Sequence, residues 1–176
     1  SIYAYRKLYQ YAINHADKAN QYALMSSNSY YVVSSYNCLA RAYSSQKDYE
    51  KAIKFYDKAI EIGRVHNKTK LVNSSIQEKM GLFIRQNRLE EAQNLVKTLN
   101  HQMLNNQANL TIGRLYYRLN QPDSAYYYLN RAIKSDNIYT QQSAYQALFY
   151  LSRKQKDYQK NAEYSVKLWK INDSIN

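Results

Sequence analysis

Chain breakers are scarce in this sequence: its 176 residues hold one proline and three glycines. An all-β sandwich or barrel needs a turn about every 8–12 residues, so this scarcity excludes one. Cysteine is scarcer still. With Cys38 alone, neither an intramolecular disulfide nor a cysteine zinc cluster can form. Its place beside Leu39 on an apolar stretch predicts a buried small hydrophobe. No apolar run approaches the roughly 18 residues of a membrane-crossing helix. No basic–apolar–small leader opens the chain. Ser1 is not an initiator methionine, so this end does not reveal the compartment.

Acids are the other deficit. Thirteen stand against 25 basic residues, a net charge of +12. Between Glu61 and Glu78 lie Arg64, Lys68 and Lys70 with no acid, and between Glu91 and Asp123 lie Lys97, Arg114 and Arg118, again with none. Such a surplus favours an anionic partner: an acidic peptide, nucleic acid or a lipid surface. A merely solvated basic surface is the plain alternative.

What the chain does have is tyrosine, 21 copies of it, and 45% apolar residues. Tyrosine fills seams between helices while keeping its hydroxyl wet. A small residue followed at four and then three positions by apolar or small ones recurs five times, most clearly at Ala52-Tyr56-Ala59. In register the five anchors are Ala19, Ala52, Ala92, Ala125 and Asn161, spaced 33, 40, 33 and 36 residues apart. These spacings centre near the roughly 34 residues of a helix–turn–helix repeat. Twelve residues before the later anchors stand Ala40, Met80, Gly113 and Phe149, the positions of closest helix approach. Tyr43, Phe83, Tyr116 and Ser152 follow three residues on, the aromatics serving as wedges.

The turns fit this register. Asp48 and Asp157 stand where a helix N-cap is needed, and Pro122 falls on a first helical position, where proline is tolerated. Glu90, Glu91 and Asp123 place negative charge in first turns, favourable against the helix dipole. Gly63 reads as a helix C-terminus. Repeat one is either a hairpin turning at Asn14-His15 or one continuous helix over 2–26. No Pro-rich linker or charge block marks a boundary, so residues 1–176 read as one solenoid, with repeats at roughly 1–28, 33–66, 73–105, 106–139 and 142–175. An end at Ile175-Asn176 without a polar capping helix suits a cut array.

Leu39-Ala40-x-x-Tyr43 with Ala52-x-x-x-Tyr56-x-x-Ala59, echoed by Ile112-Gly113-x-x-Tyr116 with Ala125-x-x-x-Leu129-x-x-Ala132, resembles the tetratricopeptide repeat family. Tyr36 and Tyr145 stand where the family usually has tryptophan, and its usual repeat-end proline is missing. The resemblance implies an all-α fold, a right-handed α-α superhelix of about five repeats, and the binding of a protein or peptide. The C-terminal third, from Ala144 through Trp169 to Ile175, is similar to repeat arrays of bacterial cell-envelope regulators. That similarity implies a sensory or docking half and a periplasmic or envelope location. The residues themselves are equally compatible with the cytoplasm.

No enzyme is expected. His15, His66 and His101 fall in different repeats near turns or ends, and the carboxylates are mostly committed to helix starts. There is no glycine-rich phosphate loop, no His-Glu-x-x-His, and nothing that calls for a metal or cofactor. The first helix of each repeat is expected to line a concave face. On it the register places Asn37, Arg41, Gln77, Arg114, Tyr117, Gln146, Tyr150 and Arg153. Arginine can grip a carboxylate, Asn or Gln a peptide backbone, and tyrosine can stack. The stripe predicts an extended or helical acidic peptide as ligand. Single-stranded RNA ranks lower, because the basic residues spread over many faces. Self-association through uncapped repeat ends is a third reading.

Overall fold

The computed structural model describes residues 2–175, with side chains over 9–175. Ser1, the start of the first expected repeat, and Asn176, just past the fifth, lie outside the described residues. Among these there are nine α-helices, one short 3-10 helix at His101–Met103 and no strand. In chain order they are α1 (Ile2–Met25), α2 (Ser29–Ser45), α3 (Tyr49–Val65), α4 (Thr69–Arg85), α5 (Leu89–Val96), α6 (Asn106–Arg118), α7 (Pro122–Ala132), α8 (Ile138–Lys154) and α9 (Tyr158–Ile175).

Caps define the helix starts. The side chains of Asn28, Asp48, Asn105 and Asn137 accept from the backbone N–H groups of Tyr30, Lys51, Ala108 and Thr140. Asp157 does the same for Lys160. Pro122 opens α7, where its missing N–H costs nothing. The ends explain the shortage of glycine. Ser27, Lys47, Asn67, Asn87, Asn120 and Lys156 all have positive φ, and no glycine does. At Lys47 the chain closes a Schellman turn: Asp48 N–H bonds Tyr43 O at 2.9 Å and Lys47 N–H bonds Ser44 O at 3.1 Å. The same pair of bonds recurs after α3, α6 and α8.

Of the two readings of repeat one the continuous helix is the one observed, and one expectation is corrected. The turn at Asn14-His15 is absent, and α1 runs unbroken through it. Ile13 and Ala16 stay on one buried stripe, and Gln10 bridges to Asn14 along the surface at 3.0 Å, so nothing interrupts the helix. Gly63 does not end a helix. It lies inside α3, where a Cβ would come within 2.7 Å of Val72 Cγ2 on α4, so it is there for close approach.

The residues gather into two compact units. In the first, Ser1–Asn87 with Thr98–Met103, α2 and α3 pair around Ala40, Ala52 and Tyr56, with Leu82 of α4 completing the cluster. Tyr43 stacks on Phe55 with centroids 5.4 Å apart, the aromatic wedge expected of that position. Buried Asn73 of α4 clasps the later segment. Its Nδ2 donates to Asn100 O at 3.0 Å and Met103 O at 3.4 Å, and its Oδ1 accepts from Asn100 N at 3.0 Å.

In the second unit, Arg88–Lys97 with Leu104–Asn176, helices α6 to α9 enclose Leu110, Ala125, Leu129, Ala132, Leu148 and Leu151. Tyr116 stacks on Tyr128 at 5.6 Å. The anchor of the last hairpin is polar yet works: Asn161 Nδ2 donates to Phe149 O at 2.8 Å and to Ser152 Oγ at 3.2 Å, tying α9 to α8.

Candidate functional site

The inner stripe expected from the register falls on first helices in both units, and the two halves differ chemically. In the first unit it lies on the neighbouring helices α2 and α4. Val33, Asn37 and Ala40 follow one helical stripe, which turns Asn37 into the interior at 5% exposure with its Oδ1 unpartnered. Cys38, expected inside, is instead exposed on the adjoining stripe with Arg41. The two residues have exchanged their expected places. The sequence signal was present, because burial at Val33 and Ala40 implies burial at Asn37 between them.

Arg41 reaches across to Glu78 of α4, Nη1 to Oε1 at 2.9 Å, and its Nη2 touches Cys38 Sγ at 3.2 Å. Burial disfavours its charge, but Glu78 and the thiol outweigh burial and raise the guanidinium pKa. The second oxygen of Glu78 accepts from the Tyr56 hydroxyl at 3.0 Å. Burial, then the neighbouring carboxylate, raises the pKa of that phenol strongly. Arg85 Nη2 donates to Ser44 Oγ at 3.2 Å. Glu78 was missed from the sequence because only its neighbour Gln77 falls on the chosen stripe. Its effect is large, since the charge of Arg41 is already satisfied within the chain.

The second half, on α6 and α8, is different. Neither helix contains a carboxylate, while Arg114, Arg118, Arg153 and Lys154 all lie on them. Arg114 is an exposed residue, yet partial desolvation lowers its pKa and no acid opposes the shift. It makes no hydrogen bond or ion pair among the described residues. Lys154, which the stripe omitted, sits 5.5 Å from the ring centroid of Tyr117 and joins α8 to α6 by a cation–π contact. Thr140 Oγ1 to Gln107 Oε1, 3.1 Å, is a second bridge between these helices. Tyr150 is 48% exposed, packed edge-on to Phe149 at 5.4 Å, and Gln146 and Arg153 are exposed on the same helix. This half can offer a cation and aromatic faces to a negatively charged, partly apolar ligand.

Models of the tetratricopeptide repeat match residues 33–63 and 107–139, covering most of α2–α3 and nearly all of α6–α7. The chain carries two tetratricopeptide repeats. Its all-α fold is shared with solved structures. A crystal structure of BtubC (BKLC) from P. vanneervenii superposes with a TM-score of 0.69 at 17% identity, covering 97% of this chain and 73% of that one. A putative kinesin light chain from Podosopora anserina, described as having nearly identical TPR-like repeats, gives 0.70 at 14% identity, covering 97% and 89%. At these identities the likeness speaks for the fold alone. No curated protein sequence matches the chain. Tetratricopeptide repeats are protein-interaction scaffolds, and no helix among the described residues is long and apolar enough to cross a membrane.

Proposed function

We propose that this tetratricopeptide repeat chain is a non-enzymatic docking module whose α6–α8 face takes an acidic peptide segment of a partner protein. One observation carries the reading: Arg114, partly desolvated and without a counter-charge, stands on a pair of helices that hold four cations and no acid. A carboxylate delivered there meets a guanidinium that water solvates incompletely, so the pair forms at low desolvation cost. Tyr117 and Tyr150 supply faces for apolar side chains between the acids. Arg41, neutralised by Glu78, plays no comparable part, which narrows the expected stripe to its second half. Docking of this kind suits the sensory part of a larger bacterial regulatory protein, as the C-terminal resemblance implies.

The test is fluorescence anisotropy with a labelled Glu/Asp- and Leu-rich peptide against its Gln/Asn counterpart, with oligouridylate as a third probe. The acidic peptide is expected to bind at least about tenfold more tightly than the neutral one. Arg114→Ala with Arg153→Ala should remove about 1.5–3 kcal/mol, the range for hydrogen bonds to charged groups. Equal affinity for the two peptides, or no effect of the double substitution, refutes the assignment. Preference for the oligouridylate over both peptides turns it toward nucleic acid.

A further inference from the structure

We infer that the turn between α3 and α4 is a docking surface for an anionic phospholipid membrane. Residues 64–68 are all exposed and form the tip of this helix pair. Arg64 and Lys68 flank Val65, which is 73% exposed, and Lys70 stands exposed in the first turn of α4. From Ile62 to Gln77 the chain holds no acid. Glu61, one turn back on α3, does not pair with Arg64, and the side chains of Arg64, Lys68 and Lys70 make no ion pair among the described residues. The end of α4 adds to the charge instead of offsetting it: Lys68 stands at the cap without a side-chain bond, and the first turn has no acid. Helices α5 and α7 also lack a side-chain cap, but they compensate with Glu90, Glu91 and Asp123. A second exposed segment lies beside the turn. Asn73 fastens Asn100 and Met103 to α4, and residues 100–103 are exposed, free of acids, and carry Met103 at 47% exposure.

Shape and charge together select a membrane as the occupant. A peptide is held in a groove or along a sheet edge, where its backbone is covered, and a projecting turn offers neither. The flanks of the turn are already taken within the same unit, α2 packing on α3 and the 3-10 segment on α4, so only the tip is free. A lipid surface needs no more than a tip. Val65 and Met103 can enter the boundary of the acyl chains while Arg64, Lys68 and Lys70 meet the phosphates around them. Each Lys or Arg strengthens binding to an anionic bilayer about fivefold, so the three together contribute about 100-fold. This surface belongs to the first unit and does not rest on the peptide reading of the α6–α8 face.

Flotation of the whole chain with vesicles tests this, comparing phosphatidylcholine containing phosphatidylglycerol with phosphatidylcholine alone. The chain should bind only the anionic vesicles, and less so as salt is raised. Arg64→Ser with Lys68→Ser and Lys70→Ser should lower that binding about 100-fold. The same loss of charge at exposed Lys54, Lys134 and Lys167 should lower it less than about fivefold, because those positions do not share the tip. Val65→Ser should weaken vesicle binding about fivefold and leave affinity for a soluble Glu-rich peptide unchanged. Far-UV circular dichroism confirms that each variant is folded. No binding to the anionic vesicles, equal losses from the two triple variants, or an unmoved Val65→Ser each overturns the proposal. A tip variant that loses the soluble peptide but keeps the vesicles also overturns it and turns the patch toward an acidic protein.

Discussion

The three glycines of this chain are all helical, and the same substitution at each should give three different outcomes. Replacing glycine by alanine in a helix interior gains about 1 kcal/mol from backbone entropy and propensity. At Gly81 nothing opposes that gain, because the nearest heavy atom to a new Cβ is Arg85 Nη1 at 3.8 Å. Gly81→Ala should therefore stabilise by about 0.5–1 kcal/mol. At Gly113 the Cβ would stand 2.7 Å from both Cδ2 and Cγ of fully buried Leu129 and 3.2 Å from its backbone nitrogen. A side-chain rotation cannot relieve contact with a backbone atom, so α6 and α7 must separate. An overpacking cost of about 3 kcal/mol against the 1 kcal/mol gain leaves Gly113→Ala about 2 kcal/mol less stable. Gly63 lies between them: it meets only Val72 Cγ2 at 2.7 Å, but valine is stiff at χ1, so a net loss of about 0.5–1 kcal/mol is expected. Urea unfolding followed at 222 nm measures the order, and thermal midpoints should move by about 2–4 °C per kcal/mol for a chain of this size. If Gly113→Ala stabilises the chain as Gly81→Ala does, close helix approach is not why glycine is there.

Two further outcomes follow from the turns and caps. Lys47 and Lys156 hold left-handed backbone at φ 67 and 58, which costs a lysine more than a glycine, so Lys47→Gly and Lys156→Gly should each raise the urea midpoint by about 0.5 kcal/mol of stability. The Asp48 carboxyl is held below its ordinary 3.8 by the Lys51 ammonium, and that of Asp157 by the Lys160 backbone N–H first and its ammonium second. With folded pKa values depressed, both contributions are complete above pH 3.8 and are lost as pH falls through the folded values. Asp48→Asn with Asp157→Asn keeps an acceptor at each cap but removes the titration. The double variant's melting temperature should therefore vary less with pH between about 4 and 2 than the parent's.

What was legible in the sequence was local. Caps at Asp48 and Asp157, the proline at Pro122 and the close approach at Gly113 depend on a few neighbouring residues, and each reads correctly from spacing alone. The failures have a common cause, since each turned on which face of a helix meets another helix. Cys38 and Asn37 exchanged places because composition suggested a buried thiol, whereas the stripe through Val33 and Ala40 buries the amide. Gly63 looked like a terminator because its partner, Val72, lies across a turn. The neutralisation of Arg41 by Glu78 spans 37 residues and two helices, and no local pattern announces it. The acid-free character of α6, by contrast, was visible as the stretch between Glu91 and Asp123 before any helix was placed, whereas that of α8 was not among the sequence expectations.

The clasp made by Asn73 has a consequence for how this array can be cut. Its first unit leaves the chain at Asn87 and returns for Thr98–Met103, so the polypeptide passes from one unit to the other three times within a short stretch. Repeat arrays are commonly trimmed at hairpin boundaries, each motif behaving as a removable tile. Here a gene ending at Asn87 would strip the Asn73 amide of both acceptors and its donor, leaving a polar group sealed in the interior with nothing to satisfy it. These repeats are stitched rather than tiled, and shortening the chain by one motif means unpicking a seam.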